Sequence, residues 1–151
     1  KCIESLLPGG DEVEIIIVND GSKDSTAAIA DEYAAKYPTI VKAVHQENGG
    51  HGEAVNAGIR NATGLYFKVV DSDDWVDKDA YMAILAKLKE LAGGEQTLDM
   101  LISNYVYEKE GKKHKKDIVL LKKKENYCII NYVYNKLCII FILSLLGCEV
   151  I

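Results

Sequence analysis

The chain has 151 residues, of which 48% are hydrophobic and 27% charged, with only two prolines. That composition excludes a disordered chain and is enough for one domain with a real core. A net charge of −5 and a pI near 5.2 argue against a general nucleic-acid binder. Lys112, Lys113, Lys115, Lys116 and Lys122 to Lys124 do form a basic stretch, which reads as a solvated hairpin face rather than a polyanion or membrane contact. Cys2, Cys128, Cys138 and Cys148 are spaced too widely for CxxC metal or redox motifs. With no signal peptide at the start, they read as reduced thiols and the expected location is the cytoplasm.

In chain order, KCIESLLPGG reads as the end of a helix. VEIIIV (13–18) is a β-branched run typical of a buried strand. NDGSKDST follows as a turn cluster, with Ser25 or Asp24 as N-cap of an Ala-rich helix over 26–36 that Pro38 ends. A second strand is expected at 40–45, then the glycine loop QENGGHG. A short helix follows at 53–62, with Gly64 just beyond it. LYFKVV (65–70) is a third strand. It runs into DSDDWVD and a helix from Lys78 to about Leu91. GGEQ breaks the chain. A fourth strand is expected at 99–109, turning at Glu110–Gly111 into a return strand near 117–121.

Strands alternating with helices imply parallel pairing in a layered α/β sheet. In such sheets the loops at the carboxyl ends of the strands line the ligand crevice. NDGSKDS, QENGGHG and DSDDWVD each follow a strand, so all three should face one side. Asp71 and Asp73 are two apart, and in extended backbone both project the same way. Such a pair suits a hard divalent cation that keeps open positions for phosphates, although a solvated turn explains it nearly as well. An EF-hand starting at Asp71 fails, because Trp75, Val76 and Met82 stand where an oxygen ligand, Gly and Glu are needed. Asp20 before Gly21 can accept the ring N–H of a base such as uracil, or form an Asx-turn. Gly49, Gly50 and Gly52 allow close backbone approach, while Asn48 and Asn56 supply amides. GGHGEAV is a poor dinucleotide fingerprint, since Val55 replaces its third glycine. His51 has no sequence neighbour that gives it a chemical role.

IIIVNDGSKDST, QENGGHGEAVNAGIRNATG and VVDSDDW, in this order and spacing, resemble the family 2 glycosyltransferases of the GT-A fold. The resemblance covers roughly residues 1–107. It implies transfer of a sugar from a nucleotide-diphosphate donor, usually UDP-linked, with Mg²⁺ or Mn²⁺. By position, Asp20 resembles the base-binding aspartate, Asp71 the first DxD aspartate near the ribose, and Asp73 the metal ligand. Asn48, Gly50 and Asn56 match the family's Asn-Gly loop and the helix after it. Where many members have Ala-Arg-Asn, this chain has Ala54-Val55-Asn56 and lacks the basic contact. No match is found for the downstream acid that serves as catalytic base.

Members normally begin with a strand that lies centrally, between those matching 13–18 and 65–70; it is not found here. The expected fold class is therefore an incomplete GT-A-like α/β domain over 1–121, followed by an apolar tail over 122–151. The neighbours of the absent strand must pair directly, recruit another segment, or meet another molecule's edge. The tail at 127–148 is apolar enough to be recruited or to drive self-association. The uncharged run 137–148 is too short to span a bilayer, though membrane association of a longer form stays open. The leading function is the donor-binding part of an inverting transferase acting on an unknown saccharide or lipid-linked acceptor. The alternatives are a nucleotide-binding fragment without catalysis and a structural α/β domain with solvated acidic loops.

Overall fold

The computed structural model describes residues 1–92, 101, 105–107, 116–118 and 137–143. These belong to two compact units, one of Lys1–Val76 with Val133–Ile151 and one of Asp77–Tyr132. The first begins with α1 (Cys2–Leu6) and a 3₁₀ segment (Leu7–Glu12). It continues through β1 (Val13–Asp20), α2 (Thr26–Lys36), β2 (Val41–Gln46), α3 (His51–Asn61) and β3 (Tyr66–Asp71). The second holds α4 (Lys78–Ala92), β4 (Tyr105–Tyr107) and β5 (Lys116–Ile118). A last strand, β6 (Leu137–Leu143), returns to the first unit.

Local chemistry explains most of these boundaries. Asp24 Oδ1 accepts the Thr26 N–H at 3.0 Å and so satisfies one free donor of α2, whereas the Ser25 side chain makes no capping bond. Tyr37 closes the helix and Pro38 prevents its continuation. α3 starts two residues before its expected position, because Gly50 at its N-cap takes φ 83°, a left-handed value that side chains disfavour. Ala54 and Ala57 of α3 are buried against Ile16 and Val18 of β1, with Val44, Val55, Ala62 and Val69 packed around them. Their small size lets the helix lie close to the sheet. Ile15, Ile16, Ile17 and Val18 are all buried, so β1 is covered on both faces as a central strand should be.

The four-stranded sheet has the order β2-β1-β6-β3. β1 pairs with β2 in parallel, as expected. β3 does not meet β1 directly. β6 lies between them and pairs antiparallel with both, Ile140 facing Ile16 on one side and Val69 on the other. Of the three ways to satisfy the inner strand edges, the chain uses recruitment of its own apolar segment. β1, β2 and β3 still run in one direction, and the sheet is mixed only through β6.

In the second unit, Tyr81, Leu85 and Leu88 of α4 are buried at a spacing of i, i+4, i+7, a single helical face. Asp77 Oδ1 accepts the Ala80 N–H at 3.0 Å and caps that helix. β4 and β5 pair antiparallel, Tyr105 opposite Ile118; the expected turn at Glu110–Gly111 lies outside the described residues. The remainder of the segments expected at 99–109 and 117–121, the basic stretch and most of the apolar tail lie outside the described residues. Among the described residues no helix is long and apolar enough to cross a membrane.

A proline in β6 removes a backbone donor in the middle of the sheet. Ile140→Pro should therefore destabilise the protein by at least about 1–3 kcal/mol, the cost of one orphaned buried acceptor. Urea unfolding followed by circular dichroism measures this; an unchanged midpoint would exclude β6 from the sheet.

Candidate functional site

The register places three polar loops at one edge of the sheet. Asp20, Gln46 and Asp71 are the last residues of β1, β2 and β3. Asp20 stands opposite Gln46. Asp71 faces Cys138, and Cys138 faces Val18 across β6, so β3 ends near the level at which β1 ends.

Asp20 gathers the glycine loop around itself. Its Oδ1 accepts the Gln46 Nε2–H at 2.8 Å and the Gly49 N–H at 2.7 Å, while Oδ2 accepts the Gly50 N–H at 2.8 Å. Burial pushes the Asp20 carboxyl up, but the three hydrogen bonds outweigh it and hold the group below its usual 3.8. The two loops touch closely. Gly21 has φ 69°, and a Cβ there would lie 2.7 Å from the backbone nitrogen of Asn48, so only glycine fits.

Asn19, the buried residue before Asp20, braces the same turn. Its Oδ1 accepts the Ser22 N–H at 3.0 Å, and its amide Nδ2 is 3.2 Å from His45 Nδ1. His45 Nε2 is 2.9 Å from Asp31 Oδ1 on α2. An Nε2–H tautomer satisfies both contacts at once: the amide donates to Nδ1, and the ring donates to the carboxylate.

The remaining predicted residues occupy distinct places. Asn48 packs against Gly21 with its side chain exposed. Asn56 is exposed on α3 and donates to Glu53 Oε2 at 3.3 Å, while Arg60 donates to Glu53 Oε1 at 2.5 Å. Asn56 thus belongs to a helix-surface network, one turn beyond the loop. His51, at the start of α3, is near enough to Asp71 to favour its ionised form.

The acidic turn is closed by the Asp74 N–H donating to the Asp71 carbonyl at 2.9 Å. Asp73 is exposed, whereas Asp71 and Asp74 are half-buried. Burial raises the Asp71 carboxyl; His51 opposes that rise, Asp73 adds to it, and Lys68 opposes it. Burial also raises Asp74, with Asp73 and Asp71 adding repulsion. Among the described residues no three His, Cys, Asp or Glu side chains converge as a metal cage. The donor set fits a hard cation held by one or two carboxylates and completed by phosphates and water, not one enclosed by protein.

The glycosyl transferase family 2 model matches residues 1–134. The chain belongs to that family. The match runs beyond residue 107, where recognisable motifs end. EpsH of Bacillus subtilis strain 168 is 42% identical over 120 residues, covering 78% of this chain and 33% of the relative. The glycosyltransferase GlyA of Streptococcus pneumoniae serotype 4 is 34% identical over 106 residues, covering 70% and 14%. The minor teichoic acid biosynthesis protein GgaB of Bacillus subtilis strain 168 is 35% identical over 88 residues, covering 56% and 10%. This family 2 chain therefore spans a third or less of the length of these relatives. No solved structure matches it significantly.

Sequence reasoning missed Asn19, His45 and Gln46. The pairs they form are 26 residues apart in the chain, and a strand's terminal amide carries no local signal of its partner. Because the folded Asp20 carboxyl is depressed, its stabilisation of the loop is present above the unfolded value of 3.8 and is lost as pH falls through the lower folded value. The Gly49 and Gly50 amide resonances should stay constant from neutral pH down to about 4 and move only below it. Asp20→Asn should abolish that titration and speed exchange of both amides.

Proposed function

We propose that this domain binds the nucleotide-diphosphate part of a sugar donor, UDP-linked, at the carboxyl ends of β1, β2 and β3. The observation that carries this reading is the state of the Asp20 carboxylate. It offers about four acceptor positions, and three are taken by Gln46, Gly49 and Gly50. The one left on Oδ2 suits a base with a single ring N–H, as uracil has. Guanine presents two adjacent donors and needs both oxygens free. A ligand reaching from Asp20 to Asp71 crosses two strand spacings, roughly 10 Å. That span suits an extended nucleoside diphosphate better than an isolated ion.

In this reading Asp71 lies beside the ribose, and Asp73 holds Mg²⁺ or Mn²⁺ together with the diphosphate. Asn48 and Gly50 shape the loop over the nucleotide, and Asn56 lines the helix behind it. The cation, when bound, offsets charge on the leaving diphosphate. The chain's own part is to orient the donor so that an acceptor hydroxyl attacks the anomeric carbon in line, with inversion. The attack also needs a base on the acceptor hydroxyl, and no described residue is assigned to it. The similarity to GgaB, a minor teichoic acid biosynthesis protein, supports a cell-envelope saccharide as the acceptor class.

Calorimetry with UDP and Mn²⁺ tests the proposal. Asp73→Ala should weaken metal-dependent UDP binding about 10- to 100-fold, the loss expected for one charge-assisted contact, and Asp74→Ala should weaken it less. Asp20→Ala should erase the preference for UDP over GDP. Folded protein that binds neither nucleotide points to a structural domain. Binding without any donor hydrolysis or transfer points to a nucleotide-binding fragment.

A further inference from the structure

We propose that α1 is a clamp that fixes the geometry of the acidic turn, with Ser5 and Cys2 as positioning residues for Asp71 and Asp73. This rests on the donor and metal reading of that turn.

The clamp is built from contacts spanning 69 to 71 residues of sequence. Ser5 Oγ accepts the Val76 N–H at 3.1 Å and donates to the Cys2 carbonyl at 2.7 Å. Its hydroxyl is used in both directions, so its orientation is fixed. The Cys2 S–H donates to the Asp71 carbonyl at 3.4 Å. A thiol is protonated at neutral pH, so this buried group can donate. Cys2 and Ser5 are three apart on one helical face, so a single turn of helix holds both ends of the 71–76 segment. Between those ends, the Lys1 ammonium sits 2.8 Å from the centroid of the Trp75 ring.

α1 itself is anchored. Cys2, Ile3 and Leu6 are buried, and Glu4 Oε1 accepts the Tyr33 hydroxyl of α2 at 2.6 Å. α1 is therefore a firm post, and the turn it holds carries three like charges. Asp71, Asp73 and Asp74 repel one another, and their carboxylates separate unless the backbone beneath them is held. A bound cation gains most when that restraint exists beforehand, because the ligand then does not have to order the loop. The Asp71 carbonyl shows the restraint directly, accepting Asp74 N–H from within the turn and Cys2 S–H from outside it.

The test measures Mn²⁺–UDP affinity, metal-free uridine affinity, thermal midpoint and amide exchange on the same proteins. Ser5→Ala should lower Mn²⁺–UDP affinity about tenfold, by one lost hydrogen bond. It should lower metal-free uridine affinity much less, because uridine meets only Asp71 of the turn, beside its ribose, and not the cation. Ser5→Thr, which keeps the hydroxyl, should restore the affinity, and Cys2→Ala should produce a smaller loss. A purely structural Ser5 would lower the midpoint without changing Mn²⁺–UDP affinity in the folded protein, and that result overturns the clamp. In metal-free wild-type protein the Val76 amide should already be protected. Fast exchange there overturns the clamp without any variant. If Asp73→Ala abolishes metal-dependent binding while Ser5→Ala does not weaken it, the clamp alone fails. If wild-type protein binds no Mn²⁺–UDP, the donor reading fails and the clamp's role falls with it.

Discussion

The pairing of β6 with both β1 and β3 is the constraint on which the first unit depends. Each inner strand carries a row of backbone donors and acceptors that must be satisfied once the helices cover the sheet. β6 satisfies them from both sides, Val13 to Asn19 facing Leu143 to Leu137 and Tyr66 to Asp71 facing Leu143 to Cys138. Its insertion also sets the scale of the site. Direct pairing of β1 with β3 would bring their loops to one strand spacing, about 5 Å. With β6 between them the spacing doubles, and Asp20 and Asp71 end at one edge with a strand's width between their loops. The metric of a site made of motifs from the first half of the chain is fixed by a segment that carries no motif.

The two acidic centres at that edge are in opposite electrostatic states. Asp20 is a satisfied carboxylate, with three N–H donors that favour its charge and hold it below its usual range. Asp71 and Asp74 share a short turn with Asp73 and are raised by burial and mutual repulsion. A carboxylate of the first kind organises protein, here the loop from Gln46 to Gly50. A cluster of the second kind is stabilised by added positive charge. His51 and Lys68 supply part of it through space, but neither relieves Asp71 fully, since its shift stays upward. One strand end is thus finished by the fold, and the other is left electrostatically incomplete.

The elements up to residue 92 were legible because their signals are local. The β-branched run at 13–18, the helix at 26–36 before Pro38, and the acidic turn after 65–70 each announce themselves within about ten residues. The expectation that three polar loops share one side followed from strand direction alone, and the register agrees with it. What was not legible depends on long-range pairing. Nothing in CIIFIL states that it will run antiparallel between two strands that precede it by 66 or more residues. Gln46 and Asn19 look like ordinary strand-end amides until Asp20 and His45 are placed beside them. Sequence offers Asp20 as a partner for a base or as an Asx-turn. In the structure it anchors the glycine loop, a role visible only once Gly49 and Gly50 are brought to it across 29 and 30 residues.

The same contrast orders the steps of donor capture in the proposed reading. The base end exists before the ligand arrives, because the Asp20 latch holds Gly49 and Gly50 and leaves one acceptor position open. Little conformational freedom remains to be lost there, so recognition of the base is inexpensive in entropy. The diphosphate end is different. Its backbone is held by α1, but its carboxylates are mutually destabilised until a cation joins them. In the proposed reading metal and diphosphate would complete that end together, since the diphosphate supplies ligands that the described residues do not. A donor lacking its diphosphate is, in that reading, recognised only at the base and ribose, and a free cation finds too few ligands among the described residues. On the same reading, selectivity for the intact nucleotide-diphosphate sugar would follow from dividing the site between one finished end and one unfinished end.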